Sequence, residues 1–382
     1  MKKYISRIST LKLIAVWIMV MIFMFFSKQI TGLYSQPIIA VALFLIVLGT
    51  IITAAFAVVK EADVLAHKLG EPYGTLILTL SIVSIEVILI AAMMFGPTEA
   101  PTIGKDSIFS VMMIIMNLVT GLCLLLGGLK YGEQEYNAPG SLTYHGMIIM
   151  LAGIAMMLPN YIVGQGNGEF SQVQAISISL AVVVVYTVFL VFQMKGYRHL
   201  YMQPAVGSME ITFKEAKAAQ ALEANADDKI SKAELFSRTI ILLLWILPIV
   251  LLSHNLASLV DFGITSMNLP TQLGGVLIAI IVFTPESITA VKAALNNEFQ
   301  RAINLCHGAF VSTVGLTVPC VLTIGLLANK TVQFGMTGQE TILFIITLVL
   351  SLFTFQGKRT SPIFGVMQLM LFVIFVLLIF QP

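Results

Sequence analysis

Apolar residues in this chain gather into long unbroken runs separated by short polar clusters; they do not alternate with polar ones. Eleven runs stand out, at about 11–29, 36–59, 73–95, 108–129, 144–163, 172–192, 239–260, 272–291, 302–328, 340–356 and 361–380. A helix of about 20 mostly apolar residues crosses a hydrocarbon core about 30 Å thick, whereas barrel strands would show a two-residue period. The pattern predicts an all-α polytopic membrane protein with about eleven transmembrane helices. MKKYISR followed by an apolar run has the outline of a signal peptide. No small-residue cleavage site follows Phe26, so a first span is expected instead.

Composition narrows the class. Of 382 residues 58% are hydrophobic and 10% charged, 21 basic and 19 acidic, with a net charge of +2 and a mean hydropathy of +0.96. Water-facing proteins carry about 25% charged residues. A soluble enzyme and a disordered chain are excluded, and +2 offers no basic field for nucleic acid. Cys123, Cys306 and Cys320 lie inside apolar runs and read as small buried hydrophobes with no disulfide framework.

The basic residues sort by side. With eleven spans, 18 of the 21 fall on one face: those of the N-terminal segment, Lys60, Lys68, Lys130, Lys292, Arg301, Lys358, Arg359, and seven in the segment 193–238. Lys28, Lys105 and Lys330 fall on the other. The positive-inside rule then puts the N-terminus in the cytoplasm and the C-terminus outside. Segment 193–238 reads as a cytoplasmic helical linker. Its run Asp227, Asp228, Ser231, Glu234 lacks the alternating acids and closing Glu of a calcium loop.

Two acids, Glu86 and Glu286, lie well inside apolar runs, where a carboxylate costs several kcal/mol and marks function by default. Overlaying them aligns TLILTLSIVSIEVILIAAMMF with GVLIAIIVFTPESITAVKAAL, each followed by a span containing Gly-Leu, Gly121-Leu122 and Gly315-Leu316. The third and eighth spans are five helices apart. An odd offset reverses direction, so the segments read as inverted repeats, which place transport sites near the midplane. Both acids come within roughly 6 Å of that plane at 1.5 Å per residue.

Ser84, Thr284, Asn117, Ser312 and Thr313 are candidate supporting oxygens, each equally readable as helix-packing glue. Pro285 either frees carbonyls beside Glu286 or is a packing kink. Oxygen donors favour a hard cation such as calcium, and transition metals would want His or Cys. His307, starting the ninth span, is expected to face the headgroups, with a proton-assisting role as the alternative. Met112, Met113 and Met116 are read as lipid-facing or packing residues. Two carboxylates in a low dielectric must hold either protons or a cation. Mutually exclusive occupancy predicts an antiporter, with Glu86 and Glu286 as the ion ligands and no resident cofactor.

GEPYGTLILTLSIVSIEVILI (70–90) and PESITAVKAALNNEFQRAINL (285–305) resemble the paired signature repeats of bacterial calcium/proton antiporters. The likeness is to the branch that also exchanges sodium and potassium, within the calcium/cation exchanger superfamily. GLCLLLGGLK and VGLTVPCVL resemble it too, and the likeness covers about 70–130 and 272–328. It implies a leading helix (1–35), a first five-helix repeat (36–192), the linker (193–238) and a second repeat (239–382), in a bacterial inner membrane. Many calcium/proton exchangers carry Gly-Asn-x-x-Glu in each repeat; this chain has Ile82-Val-Ser-Ile-Glu86 and Val282-Phe-Thr-Pro-Glu286. The missing amide makes sodium or potassium more credible as cargo. A passive cation channel is the nearer rival reading. An intramembrane enzyme lacks any H-E-x-x-H motif. The partners expected are inorganic cations, protons and the lipid bilayer; the oligomeric state is left open.

Overall fold

The structure, a computed structural model, describes residues 7–34, 36–69, 73–96, 100–162, 168–204 and 231–381. Among them eleven helices are long and apolar enough to cross a membrane. The first to sixth are Arg7–Phe25, Pro37–Leu69, Tyr73–Met94, Ile103–Tyr131, Ala138–Tyr161 and Gln172–Met194. The seventh to eleventh are Lys232–Met267, Leu273–Leu295, Phe299–Ala328, Gly338–Phe355 and Pro362–Phe380. The protein is a multi-pass membrane protein, as the apolar runs predict.

Local chemistry sets the helix ends. Ser171 and Gln174 form a capping box at the sixth span, and Thr337 and Glu340 another at the tenth. Ser231 accepts from the Glu234 amide and starts the seventh helix. Asn268 and Asn329 end the seventh and ninth in left-handed conformations (φ 49° and 50°), which Asn tolerates better than most residues.

Two compact units emerge, each drawing on both halves of the sequence. The first comprises Met1–Ile103 and Asp227–Pro285; the second, Gly104–Ala226 and Glu286–Pro382. In the first unit the long second and seventh helices pack on each other and on the third. The first span is peripheral, pinned where Trp17 Nε1 donates to the Leu244 carbonyl at 3.2 Å.

In the second unit the fourth span is central. Its most apolar window is 83% buried, against 22% for the first span, so its apolar residues face protein and not lipid. Gly121 explains one close contact: an added Cβ would stand 3.0 Å from the Gly365 carbonyl of the eleventh helix. Gly315 is its counterpart in the ninth, where a Cβ would stand 2.6 Å from the Tyr186 ring. Both repeat-marking glycines thus serve close approach. Gln134–Glu135 pairs antiparallel with Arg359–Thr360, tying two turns together at one end of this unit.

Several expectations change. Cys320 is exposed, while Cys123 and Cys306 are buried. Met112, Met113 and Met116 are wholly buried, which settles them as packing residues. Glu234 is not a free linker charge but opens the seventh helix, and residues 205–230 of the expected linker lie outside the described residues.

Candidate cation and proton site

Glu86 sits in the third span with no exposed surface. Glu286 sits half-buried in the eighth. Counted from the C-terminal helix ends, Glu86 lies eight residues before Met94 and Glu286 nine before Leu295. That places them about 12 Å and about 14 Å from those ends at 1.5 Å per residue. A one-turn difference would have removed the equivalence; none is present.

Ser84 Oγ donates to the Leu80 carbonyl at 2.5 Å, and Thr284 Oγ1 to the Ile280 carbonyl at 2.5 Å. Each hydroxyl thus places its proton one turn back on its own helix. An oxygen in that state keeps a lone pair for accepting or ligating. Pro285 lies directly before Glu286 and removes the N–H that would meet the Ile281 carbonyl.

The fourth and ninth spans share a feature that the apolar pattern does not reveal. Both widen into π-helical turns, at Met113–Val119 and Thr313–Thr317. Such turns displace the hydrogen-bond ladder and often mark functional positions. Asn117 lies in the first of them, fully buried. Its Nδ2 donates to Thr347 Oγ1 at 2.9 Å, while its Oδ1 is buried with no hydrogen-bond partner among the described residues. A buried amide oxygen left in this state is rare and suits a cation. Thr313 opens the second π turn and is also fully buried. Ser312 accepts from Tyr186 at 3.0 Å and donates to the Gly308 carbonyl at 2.8 Å. Both of these Ser312 contacts are made to protein groups, whereas Asn117 Oδ1 has none among the described residues.

Glu86 is not the only buried acid. Lys105 (3% exposed) lies 2.9 Å from Asp106 and 2.6 Å from Glu340, so it is no loop charge. Glu61 meets Arg238 at 3.3 Å, Arg238 meets Glu234 at 2.9 Å, and Lys68 meets Glu234 at 2.6 Å. Asp261 is buried near Gly96. All sit near span ends, where polar and apolar clusters blur in the sequence. His307 does not face headgroups: it is wholly buried and packs against His145 of the fifth span. The sequence offered no sign of that pairing.

The sequence profile of the sodium/calcium exchanger protein family matches residues 39–195 and 237–381, most of the chain. The chain belongs to the sodium/calcium exchanger protein family. Exchangers are transporters, not enzymes, and the fold agrees. The Ca2+/H+ antiporter protein YfkE superposes with a TM-score of 0.66 at 18% identity, covering 99% of this chain and 100% of that one. The H+/Ca2+ exchanger CAX gives 0.66 at 13% identity, covering 97% and 89%. These likenesses establish the exchanger fold, a leading helix with two inverted five-helix repeats. In sequence, the chain is 33% identical over 368 residues to the sodium-potassium/proton antiporter ChaA of Escherichia coli (strain K12). The match covers 95% of this chain and 93% of that protein.

Proposed function

We propose that this exchanger is a secondary active cation/proton antiporter, exporting Ca2+, Na+ or K+ in exchange for H+. Glu86 and Glu286 are the groups that carry cation and proton in turn. The observation behind this reading is the near-equal distance of the two carboxylates, eight and nine residues, from the C-terminal ends of their own helices. An ionised carboxylate at that depth is costly unless a cation or a proton neutralises it. One calcium, two sodium ions or two protons neutralise the two carboxylates equally. Occupancy by one therefore excludes the others, and exchange follows from charge alone.

The supporting oxygens assigned are Ser84, Thr284, Asn117 and Thr313, with Pro285 releasing a carbonyl beside Glu286. Ser312, already satisfied by its neighbours, is the weakest of the original set. The 33% identity to a protein named for sodium and potassium exchange favours monovalent cargo with little calcium activity. The absence of an amide three residues before either acid points the same way. The setting is a bacterial cytoplasmic membrane with the N-terminus inside.

The test is proton flux in proteoliposomes carrying a pH gradient, with calcium, sodium and potassium added separately. Each active cation should collapse the gradient, and Glu86→Gln with Glu286→Gln should abolish the response. Cation-coupled proton flux surviving the double substitution would sink the assignment. Flux with sodium or potassium alone would fix the monovalent reading.

A further inference from the structure

Inside the second unit two imidazoles face each other. The ring centroids of His145 and His307 are 4.9 Å apart, and the side chains are 1% and 0% exposed. His145 Nδ1 lies 2.8 Å from the Ser141 carbonyl and Nε2 lies 2.5 Å from Ser351 Oγ. A carbonyl only accepts, so Nδ1 carries the hydrogen, and in the neutral ring Nε2 accepts from the Ser351 hydroxyl. A hydroxyl both donates and accepts. Adding a proton at Nε2 therefore reverses that one contact and breaks nothing. The hydrogen bonds of His145 can serve the neutral and the protonated ring alike.

His307 is placed differently. Among the described residues neither of its ring nitrogens has a hydrogen-bond partner of normal geometry; the Ile303 carbonyl one turn back faces the ring. A buried polar group in that state calls for an explanation in function.

The other groups around the pair leave it as the titrating element. The fifth span contributes Tyr144, whose ring is 6.5 Å from His307 and whose hydroxyl accepts from Gln193 at 2.7 Å. The turn after the sixth span contributes Tyr201, packed on Tyr144. The ninth contributes Cys306, in contact with Cys123 of the fourth, and Phe299, stacked on Phe355. The tenth contributes Ser351 and Phe355. Tyr136 closes the end of the cluster against Phe299 and Phe355. Burial pushes the Tyr201 phenol up to about 12 and the Tyr136 phenol up as well, so both stay protonated near neutrality. Among the described residues no carboxylate, lysine or arginine acts on either imidazole.

Depth completes the picture. His145 lies seven residues into the fifth helix, His307 eight into the ninth, and Ser351 four before the end of the tenth. At 1.5 Å per residue these are about 10, 12 and 6 Å from helix ends. Those ends share one face, joined by the strand pair Gln134–Glu135 with Arg359–Thr360 and by the Asn137 amide on Gln300 Oε1 at 2.7 Å.

We propose that His145 and His307 form a buried proton-binding site that takes up a single proton from that face and holds it during exchange. The proton comes from water and binds at a ring nitrogen; no other bond changes. Two protons are excluded because like charges at this separation in a low dielectric repel too strongly. The role as a station in exchange rests on the antiporter reading; the proton binding does not.

Two measurements separate these. Proton uptake of the purified protein, followed by the imidazole infrared bands between about pH 5 and 8, should fall by one proton in His145→Gln with His307→Gln. In proteoliposomes, His307→Gln should move the pH of half-maximal exchange by about half a unit or more, threefold in proton concentration. Ser351→Ala should move the profile likewise, and Ser351→Thr should restore it. A wild-type profile in a folded His307→Gln protein, or equal proton uptake with and without the imidazoles, overturns the proposal. Should the histidine variants fail to fold, an unmoved profile in Ser351→Ala overturns it. Wild-type protein without any exchange sinks the antiporter reading alone, and the infrared titration still decides the histidines.

Discussion

Lys105 is buried to 3% exposure between Asp106 and Glu340, and the value of such a group depends on what is removed. Taking away one partner of a buried pair costs about 3–5 kcal/mol, because the remaining charge is left without compensation. Lys105→Met should therefore lower thermal stability in detergent by about that amount. Adding Glu340→Gln should recover part of the loss, since one of the two stranded carboxylates is then neutral. Arg301 makes a similar 2.9 Å contact with Glu298, but at 60% and 43% exposure. Arg301→Ala should shift stability by less than about 1 kcal/mol; equal losses from the two substitutions would refute the distinction. At this scale the sequence was legible only where a charge stands alone. Glu86 and Glu286 interrupt long apolar runs and could be picked out by eye. Lys105 reads as a loop charge because its apolar run begins three residues later and Glu340 is 235 positions away. Histidines carry no such contrast, so the His145–His307 contact appears only once two distant helices are packed.

The second and seventh helices, 33 and 36 residues, are about 50 Å and 54 Å long, well beyond the hydrocarbon thickness of about 30 Å. Their projecting ends need polar partners, and Glu61, Lys68, Glu234 and Arg238 supply them. Arg238 bridges both glutamates, Lys68 only one. Arg238→Gln should destabilise more than Lys68→Gln, by about 2 kcal/mol or more, because Glu61 at 8% exposure loses its guanidinium. Glu61→Gln should reverse most of that loss when combined with it, as a double-mutant cycle on thermal unfolding would show. Helix number and order were readable from apolar runs, since the bilayer imposes length directly. Helix form was not. The stretch MIIMNLV turns π-helical without a Gly or Pro to announce it. Its frame is held by Thr120 Oγ1 on the Ile115 carbonyl at 2.8 Å and by Asn117 on Thr347, a partner from another span.

For the molecule as a whole, the proposed orientation rests on the distribution of basic residues, and the fold sharpens that count. Lys105 is consumed in its ion pair, so Lys28 and Lys330 are left as the basic residues on the sparse side. Lys/Arg bias in short loops directs the richer side to the cytoplasm. The turn between the ninth and tenth spans carries Lys330, and the turn between the tenth and eleventh carries Lys358 and Arg359. These two turns lie at opposite ends of the tenth helix, an 18-residue span about 27 Å long, so they report opposite sides of the membrane. In a background with Cys123, Cys306 and Cys320 replaced, Lys330→Cys should react with a membrane-impermeant maleimide in intact cells. Lys358→Cys should react only after permeabilisation or in everted vesicles. The reverse pattern would turn the molecule over. The shared face beneath His145 and His307 would then open to the outside, and the proton bound there would be drawn from that compartment instead of from the cytoplasm.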